Sequence, residues 1–160
     1  MVVSDTSPLN YLVLAGYIDL LPRVDSEIVV PQAVARELTN FAAPAIVRRW
    51  MQNPPEWLNV VHCETPLLEA PRELHLGQGE AEAITLALRR KAVLLADDGA
   101  ARRFATSQGI PVVGTLGILG RLARKGLLDL PAALSRLQAT TFYISTSELE
   151  SFLSQYEHGS

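Results

Sequence analysis

Short, almost continuously apolar segments alternate along this chain with longer segments whose apolar residues recur at helical spacing. The apolar segments predict strands at residues 2–5, 27–30, 58–61, 93–96 and 110–113. The longer segments predict helices near 9–21 with a break around Gly16, from Pro31 onward, and at 44–52, 79–91, 98–108 and 115–125. Because buried parallel strands are continuously apolar, the pattern predicts a three-layer α/β/α sandwich with a mainly parallel central sheet.

The end of the chain predicts one more helix, at about 146–156. Ser145 and Glu148 have the three-residue spacing of a capping box, and an apolar and aromatic stripe follows at helical intervals. We expect this stripe to pack against the body of the molecule. A chain of 160 residues without a linker or an internal repeat is predicted to form a single domain over residues 1–160.

The composition excludes several classes of protein. Hydrophobic residues make up 48% of the chain and charged residues 19%, which is too apolar for a disordered protein. No apolar run reaches the roughly 18 residues that a membrane span requires, so no membrane partner is expected. The first residues lack a secretory signal and the single Cys63 cannot form an internal disulfide, so we expect a cytoplasmic protein.

The charge is unevenly distributed. The net charge is −3, which is unlike that of a general DNA-coating protein. Residues 89–125, however, contain eight basic side chains and only two acidic ones, Asp97 and Asp98. A basic field around two carboxylates suits a polyanion whose backbone approaches an acidic centre, although ordinary solvated helix faces would give the same pattern.

Acidic residues follow two of the predicted strands at the point where each strand ends. Asp5 ends the first strand, and Asp97 and Asp98 end the strand at 93–96. Ligands of open parallel sheets bind at the carboxyl ends of the strands, so these carboxylates are expected to share one edge. The alternative is structural: Asp98 would cap the next helix, and Asp5 would form an Asx turn.

Two glutamates are predicted to face inward from helices. Glu37 leans toward the apolar face of its helix, and Glu80 lies in the middle of an apolar face. Glu82 lies about 200° round the same helix and is predicted to be a surface residue. An inward glutamate is rarely tolerated unless a cation or a hydrogen-bond donor receives it.

The repulsion among these acids argues for a metal ion. Two carboxylates about 4.5 Å apart repel by roughly 3 to 4 kcal/mol at an effective dielectric near 20. The chain contains only Lys91 and Lys125, and neither lies near these acids in sequence. A hard cation with oxygen ligands, Mg²⁺ or Mn²⁺, would neutralise them. The alternative is a set of separate caps and salt bridges to Arg36, Arg102 or Arg103.

Several ordered motifs carry a resemblance to a known family. They are VSDTSPL at 3–9, VPxxVxxEL at 30–38, LGxGEAEAI at 76–84 and LLADD at 94–98 followed by ARR at 101–103. Together they resemble the PIN (PilT N-terminus) domain family over residues 2–127. The string GTLGIL at 114–119 before a basic helix resembles its PIN-like nucleic acid-binding branch.

The resemblance implies an α/β/α sandwich and a Mg²⁺- or Mn²⁺-dependent endoribonuclease, as in the toxins of toxin–antitoxin pairs. The matching catalytic positions are Asp5, Glu37, Glu80 and Asp98. The implied metal ligands are Asp5, Glu80 and the adjacent pair Asp97 and Asp98, in which the principal ligand stays open. Metal-activated water would cleave the RNA phosphodiester bond.

The sequence departs from the commoner PIN pattern at two positions. Ala96 stands where a threonine is usual, and Ala100 stands where an additional acid is often found. Both departures bear on catalytic strength. A non-catalytic or weakly active PIN-like nucleic acid-binding or regulatory module is therefore the main alternative function.

Candidate phosphate contacts flank the acids. Thr6 and Ser7 follow Asp5, and Thr115 begins a helix; helix capping is the alternative role for all three. Arg102 and Arg103 are candidate clamps for the RNA backbone, or else surface residues that pair with acids. The resemblance further implies RNA as substrate, an antitoxin protein as partner and a homodimer.

Two other enzyme classes place an acid at the end of the first strand. A haloacid-dehalogenase-type phosphatase needs a second aspartate where Ser7 stands. A response-regulator receiver needs a lysine at a late strand end, where this chain has Val113 and Gly114. Neither class fits.

Overall fold

Five short strands form one parallel sheet. The computed structural model describes residues 1–159. The strands are β1 (Val2–Ser4), β2 (Ile28–Pro31), β3 (Leu58–Val61), β4 (Val93–Leu95) and β5 (Val112–Val113). Their order is β3-β2-β1-β4-β5, and Val3 of β1 pairs with Val29 on one side and Leu94 on the other. The chain first adds strands on one side of β1 and then crosses to the other side.

Helices connect the strands and follow the last of them. They are α1 (Thr6–Ala15), α2 (Gln32–Thr39), α3 (Ala45–Gln52), α4 (Gln78–Arg90), α5 (Gly99–Ser107), α6 (Thr115–Arg124), α7 (Leu130–Gln138) and α8 (Thr146–His158). Two short 3-10 helices span Ile18–Arg23 and Arg72–Leu74. No helix within residues 1–159 is long and apolar enough to cross a membrane.

The sheet separates two hydrophobic cores. Successive side chains of a strand point to opposite faces, so Val2 joins the core beneath α1, α2, α3, α6 and α7, whereas Val3 joins the core beneath α4 and α5. In β4 the same alternation sends Leu94 and Leu95 to opposite cores. This arrangement confirms the predicted three-layer α/β/α sandwich with a parallel sheet.

The helix predicted at 9–21 is two elements. α1 begins earlier, at Thr6, and ends at Ala15 because Gly16 adopts the left-handed conformation, with φ of 86°. The Gly16 N–H then donates to the carbonyls of Leu12 and Val13, which closes the helix at 3.1 Å in each case. The 3-10 helix at Ile18–Arg23 follows as a separate element.

The last two helices complete the layer that covers β1. The predicted helices do not include α7, which the structure shows with Asp129 as its cap through a 3.1 Å hydrogen bond from the Ala132 N–H. The predicted terminal helix is present as α8, and Ser145 caps it by accepting from the Glu148 N–H. Its apolar stripe packs on the core, since an added Cβ at Gly120 of α6 would lie 3.3 Å from the Phe152 ring.

We expect Leu12→Ala to lower the free energy of unfolding by about 2–5 kcal/mol, because the Leu12 side chain is fully buried and its removal leaves a cavity. Leu88→Ala is the matched control, since Leu88 is also helical but is 36% exposed. Urea denaturation of both variants measures the difference. Equal losses in the two variants would contradict the described position of α1 in the core.

Candidate active site

The carboxyl edge of the sheet brings together acids that are far apart in sequence. Asp5 directly follows β1, and its N–H donates to the Leu95 carbonyl of β4 at 2.9 Å. Asp97 is the second residue after β4. The residue between them, Ala96, donates its N–H to the Val113 carbonyl of β5. β1 and β4 flank the point where the strand order reverses, which is where open α/β sheets form a binding crevice.

Asp5 is the most deeply placed of these acids. It is 5% exposed, and its Oδ1 is buried without a hydrogen-bond partner among residues 1–159. The pKa of Asp5 is raised to about 7: burial is the largest cause, repulsion from Glu80, Glu37 and Asp97 adds to it, and the backbone N–H of Thr6 opposes both. Asp5 is therefore a carboxyl group that lacks a compensating charge.

Glu37 lies at the rim of this crevice and not in the core. Its helix position had predicted an inward direction, but the residue is exposed and its carboxylate reaches sideways to α4 and α1. Oε1 accepts from the Gly79 N–H at 3.2 Å, and Oε2 accepts from the Thr6 hydroxyl. Because α2 begins beside the sheet edge, its last turn carries Glu37 over the start of α4.

Glu80 lies in the first turn of α4, beside the same crevice. It is half-buried, and its Oε1 accepts from the Gly77 N–H at 3.1 Å. Burial raises the pKa of Glu80, and repulsion from Asp98 and Glu37 adds to this effect, whereas the Gly77 hydrogen bond opposes it. One oxygen of Glu80 thus binds the backbone of the N-cap residue of its own helix, and the carboxylate lies in the electrostatic field of the other acids.

The adjacent aspartates have different partners. Asp97 accepts from the backbone N–H of Thr115 at 2.8 Å and from its hydroxyl at 2.7 Å. Burial raises the pKa of Asp97, while the two Thr115 hydrogen bonds and the nearby Arg102 lower it. Asp98 caps α5 by accepting from the Ala101 N–H at 2.9 Å. Asp97 therefore ties β4 to the start of α6, and Asp98 initiates the next helix.

The candidate phosphate contacts are placed unequally. Thr115 is buried, and both its N–H and its hydroxyl donate to Asp97. Thr6 donates to Glu37, and Ser7 is half-buried in the first turn of α1. The polar groups of Thr6 and Thr115 are therefore engaged by acids of the site.

Arg102 and Arg103 are exposed in α5. Within residues 1–159 neither forms an ion pair. Gly114 has no side chain at the place where Arg102 and Asp97 approach each other. An added Cβ there would lie 2.7 Å from Arg102 Nη1 and 3.0 Å from Asp97 Oδ1. The Arg102 guanidinium therefore stands beside the acids and remains accessible.

The chemistry of these donors suits a hard cation, but the acids do not form a closed cage. All the oxygens are carboxylate oxygens, which Mg²⁺ and Mn²⁺ prefer, and the unpartnered Asp5 Oδ1 lacks a cationic neighbour. In the described part of the chain, no group of three or more His, Cys, Asp or Glu side chains is arranged to hold one ion. Backbone N–H groups hold these acids at the starts of three helices: Glu80 and Glu37 at α4, Asp97 at α6 and Asp98 at α5.

The prediction that Glu82 is a surface residue is wrong. The residue is only 7% exposed. Its carboxylate accepts from Gln78 Nε2 at 2.7 Å and from the Ala33 N–H at 3.4 Å, and Arg36 Nη2 lies 4.0 Å away. The helical projection treated α4 alone, whereas α2 packs against the side of α4 that carries Glu82. The sequence signal that was available is the four-residue spacing from Gln78.

A comparison with protein-family models identifies the family of this chain. A family model described as DUF3368, PIN domain, matches residues 1–158. Among solved structures, the chain is similar to a PilT N-terminus domain protein from the hyperthermophilic archaeon Sulfolobus solfataricus P2, at 12% sequence identity and a TM-score of 0.48. That match covers 91% of this chain and 100% of that chain. No curated protein matches the chain significantly.

Asp5→Asn is expected to change how stability depends on pH. With its pKa raised to about 7, folded Asp5 keeps a proton that the unfolded chain releases near its ordinary pKa of 3.8. The unfolded state therefore binds fewer protons between these values, and the free energy of unfolding falls by up to about 1.4 kcal/mol per pH unit as the pH rises. The asparagine variant does not ionise and loses this slope.

Urea denaturation in EDTA between pH 5 and pH 8 measures the effect. We expect the variant to be more stable than the parent protein at pH 8 and to approach it at pH 5. Asp19→Asn, at an exposed position on the 3-10 helix, is the control and should keep the parent slope. Parallel curves for the parent and Asp5→Asn would show that Asp5 has an ordinary pKa.

Proposed function

Because the chain belongs to the PIN domain family, we propose that it is a metal-dependent endoribonuclease that hydrolyses RNA phosphodiester bonds with Mg²⁺ or Mn²⁺. PIN domains are commonly nucleases and usually use divalent metal ions. The observation that carries the proposal is Asp5, a buried carboxyl group with an unpartnered oxygen and with three further acids acting on its pKa. This excess of negative charge favours a divalent cation as the missing partner.

Asp5, Glu80 and Asp98 are the best candidates to hold the ion. Glu80 and Asp98 each accept one backbone hydrogen bond through one oxygen, and the second oxygen forms no hydrogen bond with residues 1–159. Asp97 uses both oxygens on Thr115, so it is the less available member of the aspartate pair. When bound, the cation would polarise a phosphoryl oxygen and raise the acidity of water.

The other polar residues would bind and orient the RNA. Arg102 and Arg103 are exposed and have no ion pair within the described residues, so they can bind phosphates next to the acids. Glu37, held by Thr6 and the Gly79 N–H at the rim, would orient water or share the ion after exchanging one of these hydrogen bonds. Binding of RNA by the two arginines would thus deliver a phosphate to the acidic crevice.

A second candidate function is a nucleic acid-binding module with little or no cleavage. Both oxygens of Glu37 and of Asp97 accept hydrogen bonds, and within residues 1–159 no three acids are arranged around one ion. This arrangement favours binding over catalysis unless the acids rearrange. RNA would be the substrate in the first function and the ligand in the second.

We extend the proposal to the setting that the family resemblance implies. In it, the chain forms a homodimer and acts as the toxin of a toxin–antitoxin pair. Light scattering of the purified chain tests the first part. Growth arrest on expression, abolished by Asp5→Asn, tests the second.

Asp5→Asn should reduce RNA cleavage by at least about 100-fold, because the variant loses a carboxylate that would hold the ion. The measurement follows cleavage of single-stranded and structured RNA in Mn²⁺, Mg²⁺ and EDTA, with Asp19→Asn as the matched control. We expect cleavage only with a divalent ion. Cleavage that persists in EDTA or in Asp5→Asn would refute the metal mechanism, and RNA binding without cleavage would favour the second function.

Gly79→Ala should impair activity without destabilising the fold. Its Cβ would lie 2.6 Å from Glu37 Oε1, so the carboxylate must leave its place, whereas alanine is the better helix former by about 1 kcal/mol. Gly77→Ala adds the same methyl group two residues earlier, at the N-cap of α4, where the Cβ would lie at an ordinary 3.8 Å from Glu80 Oε1. We expect a larger loss of kcat in Gly79→Ala than in Gly77→Ala; the reverse order would argue against a role for Glu37.

A further inference from the structure

Two glutamates connect α2 and α4 in a reciprocal way. Glu37 of α2 accepts from the Gly79 N–H of α4 at 3.2 Å, and Glu82 of α4 accepts from the Ala33 N–H of α2 at 3.4 Å. Gly79 and Ala33 are each the second residue of their helix. Each helix therefore supplies a carboxylate to the first turn of the other.

This exchange meets a need that neither helix can meet locally. The first N–H groups of a helix have no partner within the helix, and a negative charge near them is favourable. The N-cap of α2 is Pro31 and the N-cap of α4 is Gly77, and neither side chain can accept a hydrogen bond. Glu82 therefore provides for α2 what a serine or an aspartate at position 31 would otherwise provide.

The spacing of the four residues makes the two contacts act together. Ala33 and Glu37 are four residues apart on α2, and Gly79 and Glu82 are three apart on α4, so each pair occupies one face of its helix. The two hydrogen bonds consequently lie about one helical turn apart, or about 5 Å, along the interface. Loss of one contact would loosen the geometry of the other.

The two ends of the interface differ in rigidity. Glu82 is 7% exposed and is further held by Gln78 Nε2 at 2.7 Å and by Arg36 at 4.0 Å. Glu37 is exposed and is otherwise held only by the Thr6 hydroxyl within the described part of the chain. The Glu82 end is thus the anchored one.

We infer that Glu82 is a positioning residue: it binds the start of α2, fixes α2 on α4 and thereby holds Glu37 against Gly79 at the rim of the candidate active site. The inference rests on the proposed function only for its activity readout. It requires no contact of Glu82 with the ion or the RNA.

The first test compares two substitutions at this position. Glu82→Ala removes the acceptor for the Ala33 N–H and should lower kcat for RNA cleavage about tenfold with KM nearly unchanged, the scale expected for an outer partner of a site residue. Glu82→Gln keeps an acceptor oxygen and should restore most of the activity. Failure of Glu82→Gln to recover activity, in a variant that urea denaturation shows to be folded, would overturn the inference.

The second test asks whether Glu82 acts through Glu37. In a Glu37→Gln background, Glu82→Ala should change kcat by less than about twofold while lowering stability as much as it does alone, because coupled residues are not additive. Full multiplication of the two losses in kcat would contradict the inference and leave Glu82 with a purely structural role.

A third measurement is independent of catalysis. Amide hydrogen exchange at Ala33 and Gly79 should become faster in Glu82→Ala, while the amides of β1 and β4 keep their protection. If the parent protein cleaves no RNA, the proposed function fails, and this exchange pattern still decides whether Glu82 positions Glu37. Unchanged exchange at Gly79 would overturn the inference by itself.

Discussion

The burial of carboxylates beside one another at one edge of a parallel sheet is the constraint on which the rest of this structure depends. The order β3-β2-β1-β4-β5 places Asp5 and Asp97 beyond adjacent strands, and two helices bring Glu37 and Glu80 to the same place. Burial at that edge raises the pKa of Asp5, Glu80 and Asp97 together. The fold therefore stores an unfavourable concentration of negative charge where a ligand can reach it.

Backbone N–H groups moderate this repulsion. Glu37, Glu80, Asp97 and Asp98 each accept a hydrogen bond from an N–H at or beside the start of a helix, where the positive end of the helix dipole lies. Asp5 precedes α1 but leaves its Oδ1 without such a partner within residues 1–159. The acids outside the centre are thus stabilised by the fold, and the acid at the centre remains the one that most needs a cation.

Much of this arrangement could be predicted from sequence, because the strands and their ends are encoded locally. Alternation of apolar runs and helices predicts the sandwich, and the residues that follow β1 and β4 then predict the shared edge. The contacts of Glu82 with Ala33 and Arg36 could not be predicted, since the helical projection of α4 does not contain α2. Nor could the partner of Asp97, because Thr115 reaches Asp97 only through the pairing of β4 with β5, whereas the cap that Asp98 forms on α5 is the structural alternative that the sequence offers.

The crossed contacts between α2 and α4 also have a topological consequence. They connect α2 and α4, which are separated in sequence by residues 40–77. That segment contains α3, β3 and the short 3-10 helix at Arg72–Leu74. Each doubling of a flexible loop costs only about 0.6 kcal/mol in closure entropy. Hydrogen bonds to Arg89 and Thr85 hold residues 64–68 on α4, so insertions between Glu69 and Arg72 would leave the acidic edge undisturbed, and a reporter peptide could be inserted there.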